Sequence, residues 1–235
     1  MPDPNATVSR NIGRIRETIA AACRRAGRSP ETVTIVAVTK GRPADDVRAV
    51  RAAGLTDVGE NRVAEALVKA SQADEDLTWH LIGSLQTNKA RKAAGLFTVV
   101  HSIDRPSLAE TLQAEADRAG RNLRCFLQVN ISGEVSKSGV TAAEAEPLLR
   151  RVLACDRLQA IGLMTMAPLV RDPDETRPIF RALRQLQETL AGTVSGASGL
   201  TGLSMGMSQD FAVAVEEGAT HVRIGTAIFK PMDEP

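Results

Sequence analysis

One amine stands out because of what precedes it. Ile35-Val36-Ala37-Val38-Thr39 runs unbroken into Lys40, and its β-branched residues favour a buried strand over a helix. An amine at the end of such a strand is either a surface group on an aliphatic stem or a desolvated nucleophile that condenses with carbonyls. Taken alone, the segment favours the surface group, because buried lysines are uncommon. A second cation, Arg223, lies in the apolar run His221-Val222-Arg223-Ile224-Gly225 with no Asp or Glu beside it. A guanidinium in such a place needs an acceptor. Two loops, Ser204-Met205-Gly206-Met207-Ser208 and Gly225-Thr226-Ala227, combine glycine with a hydroxyl and lead into helices, which suits an anion. Turns use the same residues without any ligand.

The elements that must position these groups follow from periodicity. Val8, Ile12, Ile15, Ile19 and Cys23 mark an amphipathic N-terminal helix ending near Gly27 and Pro30. After it come strand candidates at 34–40, 56–59, 79–82, 97–101, 124–129, 158–164, 200–205 and 221–225, each followed by a helical pattern. Ser107-x-x-Glu110 and Thr141-x-x-Glu144 read as capping boxes. Eight βα units in 235 residues predict one α/β domain spanning 1–235: a (β/α)8 TIM-type barrel with an extra N-terminal helix. A doubly wound sheet is the alternative, but no G-x-G-x-x-G follows the first strand.

In a barrel the outward face of each strand is apolar, which fixes the direction of the rest. Val222 and Ile224 outward put His221, Arg223 and Gly225 inward. The same rule turns His80, Gln128, Asn130 and Lys40 inward. Gln128 and Asn130 are equally well explained as a self-satisfied polar network. Barrel sites lie at the C-terminal strand ends, with phosphate often held after strands seven and eight. An anion cup, an amine placed for an aldehyde and an arginine at the depth of a ring nitrogen together describe pyridoxal 5′-phosphate (PLP).

Bulk numbers remove other classes. Net charge is +1, and aromatics are 3% with one Trp and no Tyr, so neither a basic surface nor stacking platforms for nucleic acid are present. Three Cys and three His make no metal-ligand or disulfide spacing. No apolar run approaches a membrane span or a signal core, and the expected setting is cytoplasmic. No exposed apolar stripe is identifiable, which predicts a monomer.

Seven blocks carry a family resemblance over nearly the whole chain: AVTKGRP around Lys40, GENRVAE at Gly59 to Glu65, WHLIGSLQTNK at Trp79 to Lys89, QVNISGEVSKSG at Gln128 to Gly139, GLMTMAP at Gly162 to Pro168, LSMGMSQD at Leu203 to Asp210 and RIGTAIF at Arg223 to Phe229. The chain resembles the pyridoxal phosphate homeostasis proteins (the YggS/PROSC family), whose fold is that of the alanine racemase N-terminal domain. The resemblance implies PLP as cofactor, carried on Lys40 as a Schiff base. It implies Arg223 at the pyridine nitrogen, phosphate on Ser204, Gly225 and Thr226, and a pocket lined by Asn61, His80 and Met205. Thr39, Gly41 and Arg42 depart from the family's usual A-V-S-K-T-K-P, and Lys230 replaces the glycine that usually ends RIGTAIFG.

The resemblance also bears on activity. Racemases of the related fold use a tyrosine as second base, and this chain has none. An arginine at the pyridine nitrogen disfavours its protonation and weakens the electron sink. The expectation is therefore a PLP-binding homeostasis protein without efficient catalysis, passing cofactor to PLP-dependent apoenzymes as transient partners. Weak amino-acid racemisation and a lysine Schiff-base aldolase remain the alternatives.

Overall fold

A computed structural model describes residues 4–73, 76–134 and 137–230. Eight parallel strands close into a barrel in sequence order: β1 (Thr34–Val38), β2 (Asp57–Glu60), β3 (Thr78–Leu81), β4 (Val99–Ile103), β5 (Leu123–Gln128), β6 (Leu158–Met164), β7 (Gly202–Ser204) and β8 (His221–Ile224). The helices are α1 (Pro4–Arg25), α2 (Ala44–Ala52), α3 (Val63–Ala70), α4 (Ala90–Leu96), α5 (Pro106–Arg118), α6 (Ala142–Leu153), α7 (Arg177–Thr193), α8 (Phe211–Glu216) and α9 (Thr226–Phe229). The alternation legible in the sequence is thus a (β/α)8 barrel.

The N-terminal helix is not an appendage. Among the described residues after β8 the only helix is the four-residue α9, too short to cover a strand. α1 packs against α2, α8 and α9 and takes the eighth place in the outer ring. Val8, Ile12, Ile15, Ile19 and Cys23 are its buried stripe, each contributing about 1.5–3 kcal/mol by burial. Asn11 fixes the join: its Nδ2 donates to the carbonyls of Ile228 and Lys230, each at 2.9 Å.

The main core lies between strands and helices, where Ile35, Ala37, Val58, Trp79, Leu81, Cys125, Leu127, Val222 and Ile224 pack outward. A separate small cluster of Val99, Phe126 and Met164 fills part of the barrel interior. Gly59 faces the same interior: a Cβ there would lie 2.9 Å from Val36 Cγ1 and 3.2 Å from Ile82 Cδ1. A bulge in β4 between Val100 and Ile103 lets both of those side chains join the outer core while His101 points in. Of the two predicted capping boxes, Thr141 and Glu144 form one with bonds in both directions. Ser107 does not, because Arg105 is the cap of α5 and Pro106 its first residue; proline at that position already removes an unpaired amide.

Candidate active site at the C-terminal mouth of the barrel

Lys40 lies beyond β1, not on it. The strand ends at Val38, and Lys40 is exposed in the following turn. The expected dry, inward amine is therefore corrected. The cause is local: the Arg42 amide donates to the Thr39 carbonyl at 3.0 Å, and Gly41 takes φ +68, a conformation a side chain would strain. The Gly41 amide also reaches Glu65 Oε2 at 3.3 Å. Behind the turn, Thr39 is held from two sides. Its hydroxyl donates to Glu60 Oε1 at 2.6 Å, and its carbonyl accepts from Lys69 Nζ at 2.6 Å. Lys69 and Glu60 pair at 2.5 Å with side chains 8% and 0% exposed. The Lys40 side chain makes no hydrogen bond or ion pair among the described residues and stands exposed at the mouth. Arg42 is turned away, paired with Asp46 at 2.7 Å and stacked over the Phe229 ring at 4.6 Å.

Arg223 pairs in register with Val36 of β1 and is 5% exposed. Its Nη1 donates to Ser204 Oγ at 2.6 Å and its Nη2 to the Thr165 carbonyl at 2.9 Å. Among the described residues it has no ion pair. Burial pulls its pKa down to about 10, against the opposing charge of Asp210. Asp210 is raised by burial, in part offset by the Met207 amide it accepts and by Arg223.

Just past β8, two residues beyond Arg223, Gly225 lies against Val38: a Cβ there would sit 3.2 Å from the Val38 carbonyl oxygen. Ser208 Oγ accepts from the amides of Gly225 and Ala227 at 3.3 and 3.2 Å. Thr226 is exposed at the start of α9. Lys40, Asn61, Gly225 and Thr226 thus sit at strand ends around one mouth. Asn61 directly follows β2 and is half-buried; a Cβ on Gly83 would meet its carbonyl oxygen at 2.4 Å.

Three predicted residues lie elsewhere. Met205 is fully buried in the layer between strands and helices, as alternation along β7 requires once Ser204 points in. His80 is enclosed in the barrel and bonded at both ring nitrogens, to Asp57 Oδ1 and His101 Nε2, each at 2.9 Å. Ser204 Oγ faces the interior, 2.8 Å from His101 Nδ1. Gln128 and Asn130 are occupied by their own loop: Gln128 Nε2 donates to the Ser138 carbonyl, and Asn130 Nδ2 to those of Glu134 and Lys137. Sequence reading missed Asp57 and His101, and had Ser208 only as part of the glycine loop after β7. The first two were within reach of the same alternation rule, since Val58 and Val100 face outward.

The interior is electrically quiet. Burial lowers His80 despite Asp57, and lowers His101 well below the usual histidine range. His221 falls to about 3, from burial first and then the neighbouring His80. Burial alone would raise Asp57; the His80 hydrogen bond and charge, the Thr56 hydroxyl and His221 outweigh it and hold the carboxyl low.

Comparison with known proteins fits this geometry. Residues 11–233 match the family described as alanine racemase, N-terminal domain. A pyridoxal phosphate homeostasis protein of Pseudomonas aeruginosa is 42% identical over 97% of this chain and 97% of its own. One from Aquifex aeolicus is 41% identical over 93% and 95%. The chain belongs to the pyridoxal phosphate homeostasis protein family. In solved structures, PipY of Synechococcus elongatus with PLP bound superposes with a TM-score of 0.84 at 37% identity, covering 95% of this chain and all of PipY. The seven sequence blocks that carry the family resemblance map onto the C-terminal ends of every strand but β4, the end that holds Lys40.

Proposed function

We propose that this protein binds PLP at the C-terminal mouth of the barrel, covalently through Lys40, and serves PLP homeostasis as a carrier. The observation that carries the reading is a pair of cations with opposite needs. Lys40 is an unpaired amine on a turn fixed from behind, and Arg223 is a buried guanidinium with no direct ion pair among the described residues. PLP supplies an aldehyde for the first and a ring nitrogen for the second. Its phosphate is assigned to the loop amides of Gly225 and Ala227, the Thr226 hydroxyl and the Ser208 hydroxyl, which sits at those amides. Ser204 and His80 then act from inside the barrel, not on the phosphate or the pocket wall.

When bound, the cofactor supplies a reactive carbonyl and a conjugated ring. The chain supplies the rest: Glu60 and Lys69 fix the peptide before Lys40, and Arg223 presents N–H donors that keep a facing ring nitrogen unprotonated. That polarity, together with the absence of tyrosine from the chain, favours holding and transfer over racemisation. Transient apoenzyme partners, a monomeric state and a cytoplasmic setting belong to the same proposal. The described cysteines Cys23, Cys125 and Cys155 are free thiols, and among the described residues no helix is long and apolar enough to cross a membrane.

The test is a reduced-peptide map. Protein incubated with PLP and treated with borohydride should carry a pyridoxyl group on the Lys40 peptide, and Lys40→Ala should lose it. An adduct on another lysine, or none on wild type, overturns the assignment.

A further inference from the structure

Five side chains form one unbroken hydrogen-bonded line through the barrel. Asp57 Oδ1 is 2.9 Å from His80 Nε2, and His80 Nδ1 is 2.9 Å from His101 Nε2. His101 Nδ1 is 2.8 Å from Ser204 Oγ, which accepts from Arg223 Nη1 at 2.6 Å. The line begins at the N-terminal end of β2, where the Asp57 side chain is 26% exposed. It passes through β3 and β4, crosses to the facing wall at β7 and ends on β8.

Donor and acceptor capacities fix its direction. A guanidinium only donates, so Ser204 Oγ accepts from Arg223 and its own hydrogen goes to His101 Nδ1. An ionised carboxylate only accepts, so His80 carries its hydrogen on Nε2. A neutral His80 then accepts at Nδ1, and His101 must donate from Nε2. Both ends demand the same sense, and each intervening ring gives one hydrogen and takes one. No group in the line is left over, as a fully satisfied buried network requires.

We infer that this line is a one-way positioning device for Arg223, in which Asp57, His80 and His101 keep the Ser204 lone pair turned toward the guanidinium and so aim its remaining N–H groups at the mouth. The line ends on the Asp57 carboxylate at the N-terminal end of the barrel, while Asp210, on the loop after β7, acts on Arg223 by charge without bonding to it. Charged and titratable neighbours of the line are His221, on β8 beside the rings, Arg124 of β5, whose charge acts on His80 and His101, and Asp210, whose charge acts on Arg223. Phe126 packs on His101 with ring centroids 4.6 Å apart and closes off its free face. The consequence for PLP rests on the function proposed above; the direction of the line does not.

Two measurements on the ligand-free protein decide the direction and the positioning. Nitrogen-15 NMR of the imidazoles should show His80 and His101 both neutral with hydrogen on Nε2. Hydrogen on Nδ1 in either ring overturns the inference. His101→Phe, which keeps a ring of similar size beside Phe126, should shift the Arg223 guanidinium resonances and speed the rotation of its Nη groups. Unchanged Arg223 signals in that variant overturn a positioning role. In PLP-loaded protein, the same variant should weaken PLP binding about tenfold and move the absorption maximum of the bound cofactor, with the borohydride adduct still on Lys40. Asp57→Asn should do the same by about threefold. Wild-type affinity and spectrum in both variants also overturn the inference, whereas failure of wild type to take PLP overturns only the function proposed above and leaves the NMR result to judge the line.

Discussion

Two buried cations in this protein are handled in opposite ways. Lys69, outside the barrel strands, meets Glu60 directly at 2.5 Å and spends its other contact on the Thr39 carbonyl at 2.6 Å. Arg223, inside the barrel, bonds directly to no carboxylate among the described residues: Asp210 acts on it by charge alone, and its hydrogen bonds lead to Asp57 through a serine and two histidines. The direct pair holds backbone in place. The relayed one leaves donors available to something that arrives from solution. The difference marks which cation belongs to the scaffold and which belongs to the site.

The sharpest way to break that contrast is to remove each cation in turn. Lys69→Met should destabilise the fold by about 3–5 kcal/mol, because Glu60 is then a buried charge without a partner. Its Oε2 already lacks a hydrogen bond. Glu60→Gln added to that variant should recover part of the loss, and denaturant midpoints measure both. Arg223→Met should keep folding stability within about 1 kcal/mol, since relief of a buried charge offsets two acceptors left without a donor. Its loss should appear in PLP affinity instead. A large stability loss in Arg223→Met would place both cations in the scaffold.

Acid should separate the two regions next. His80, His101 and His221 all have lowered folded-state values, with His221 at about 3. In the unfolded chain a histidine takes its proton near ~6.5. Between there and about 3 for His221, the unfolded state binds protons that the fold refuses, so stability falls as pH drops through this window. Asp57 acts lower: its folded value is depressed, so its contribution is full above about 3.9, the unfolded value, and is lost as pH falls through the folded one. Urea midpoints between pH 7 and pH 5 should fall in wild type and fall less in His101→Phe. A flat profile in wild type would contradict neutral interior rings. The smallest effect should come at the turn that Lys69 supports. Gly41→Ala, at φ +68, should cost about 1 kcal/mol and slow adduct formation at Lys40 without moving it to another residue.

What the sequence disclosed follows the same division. Strand alternation placed Arg223, His80 and Gln128 inside the barrel, because outward apolar residues such as Val222 and Trp79 leave only one face for the others. It overran at Lys40, where strand periodicity was extended two residues too far. The strand stops at the turn in which the Arg42 amide closes on the Thr39 carbonyl with Gly41 at positive φ, and the support of that turn by Glu60 and Lys69, both remote from Thr39 along the chain, shows in no local pattern. The resemblance named His80 and Ser204 but did not say where they point; in the structure both turn to His101 inside the barrel. Ser208 was visible only as one hydroxyl in a glycine loop until the fold brought it to the amides of Gly225 and Ala227.

The way α1 completes the helical ring has a consequence for synthesis. Asn11 binds carbonyls 217 and 219 positions further on, and the apolar stripe of α1 rests partly on α8. During synthesis α1 therefore waits for segments more than 180 positions further along before its oily side is covered. A nascent chain stalled before β8 should be caught by chaperones that read exposed isoleucines, and should resist proteases only after the final strand has been released.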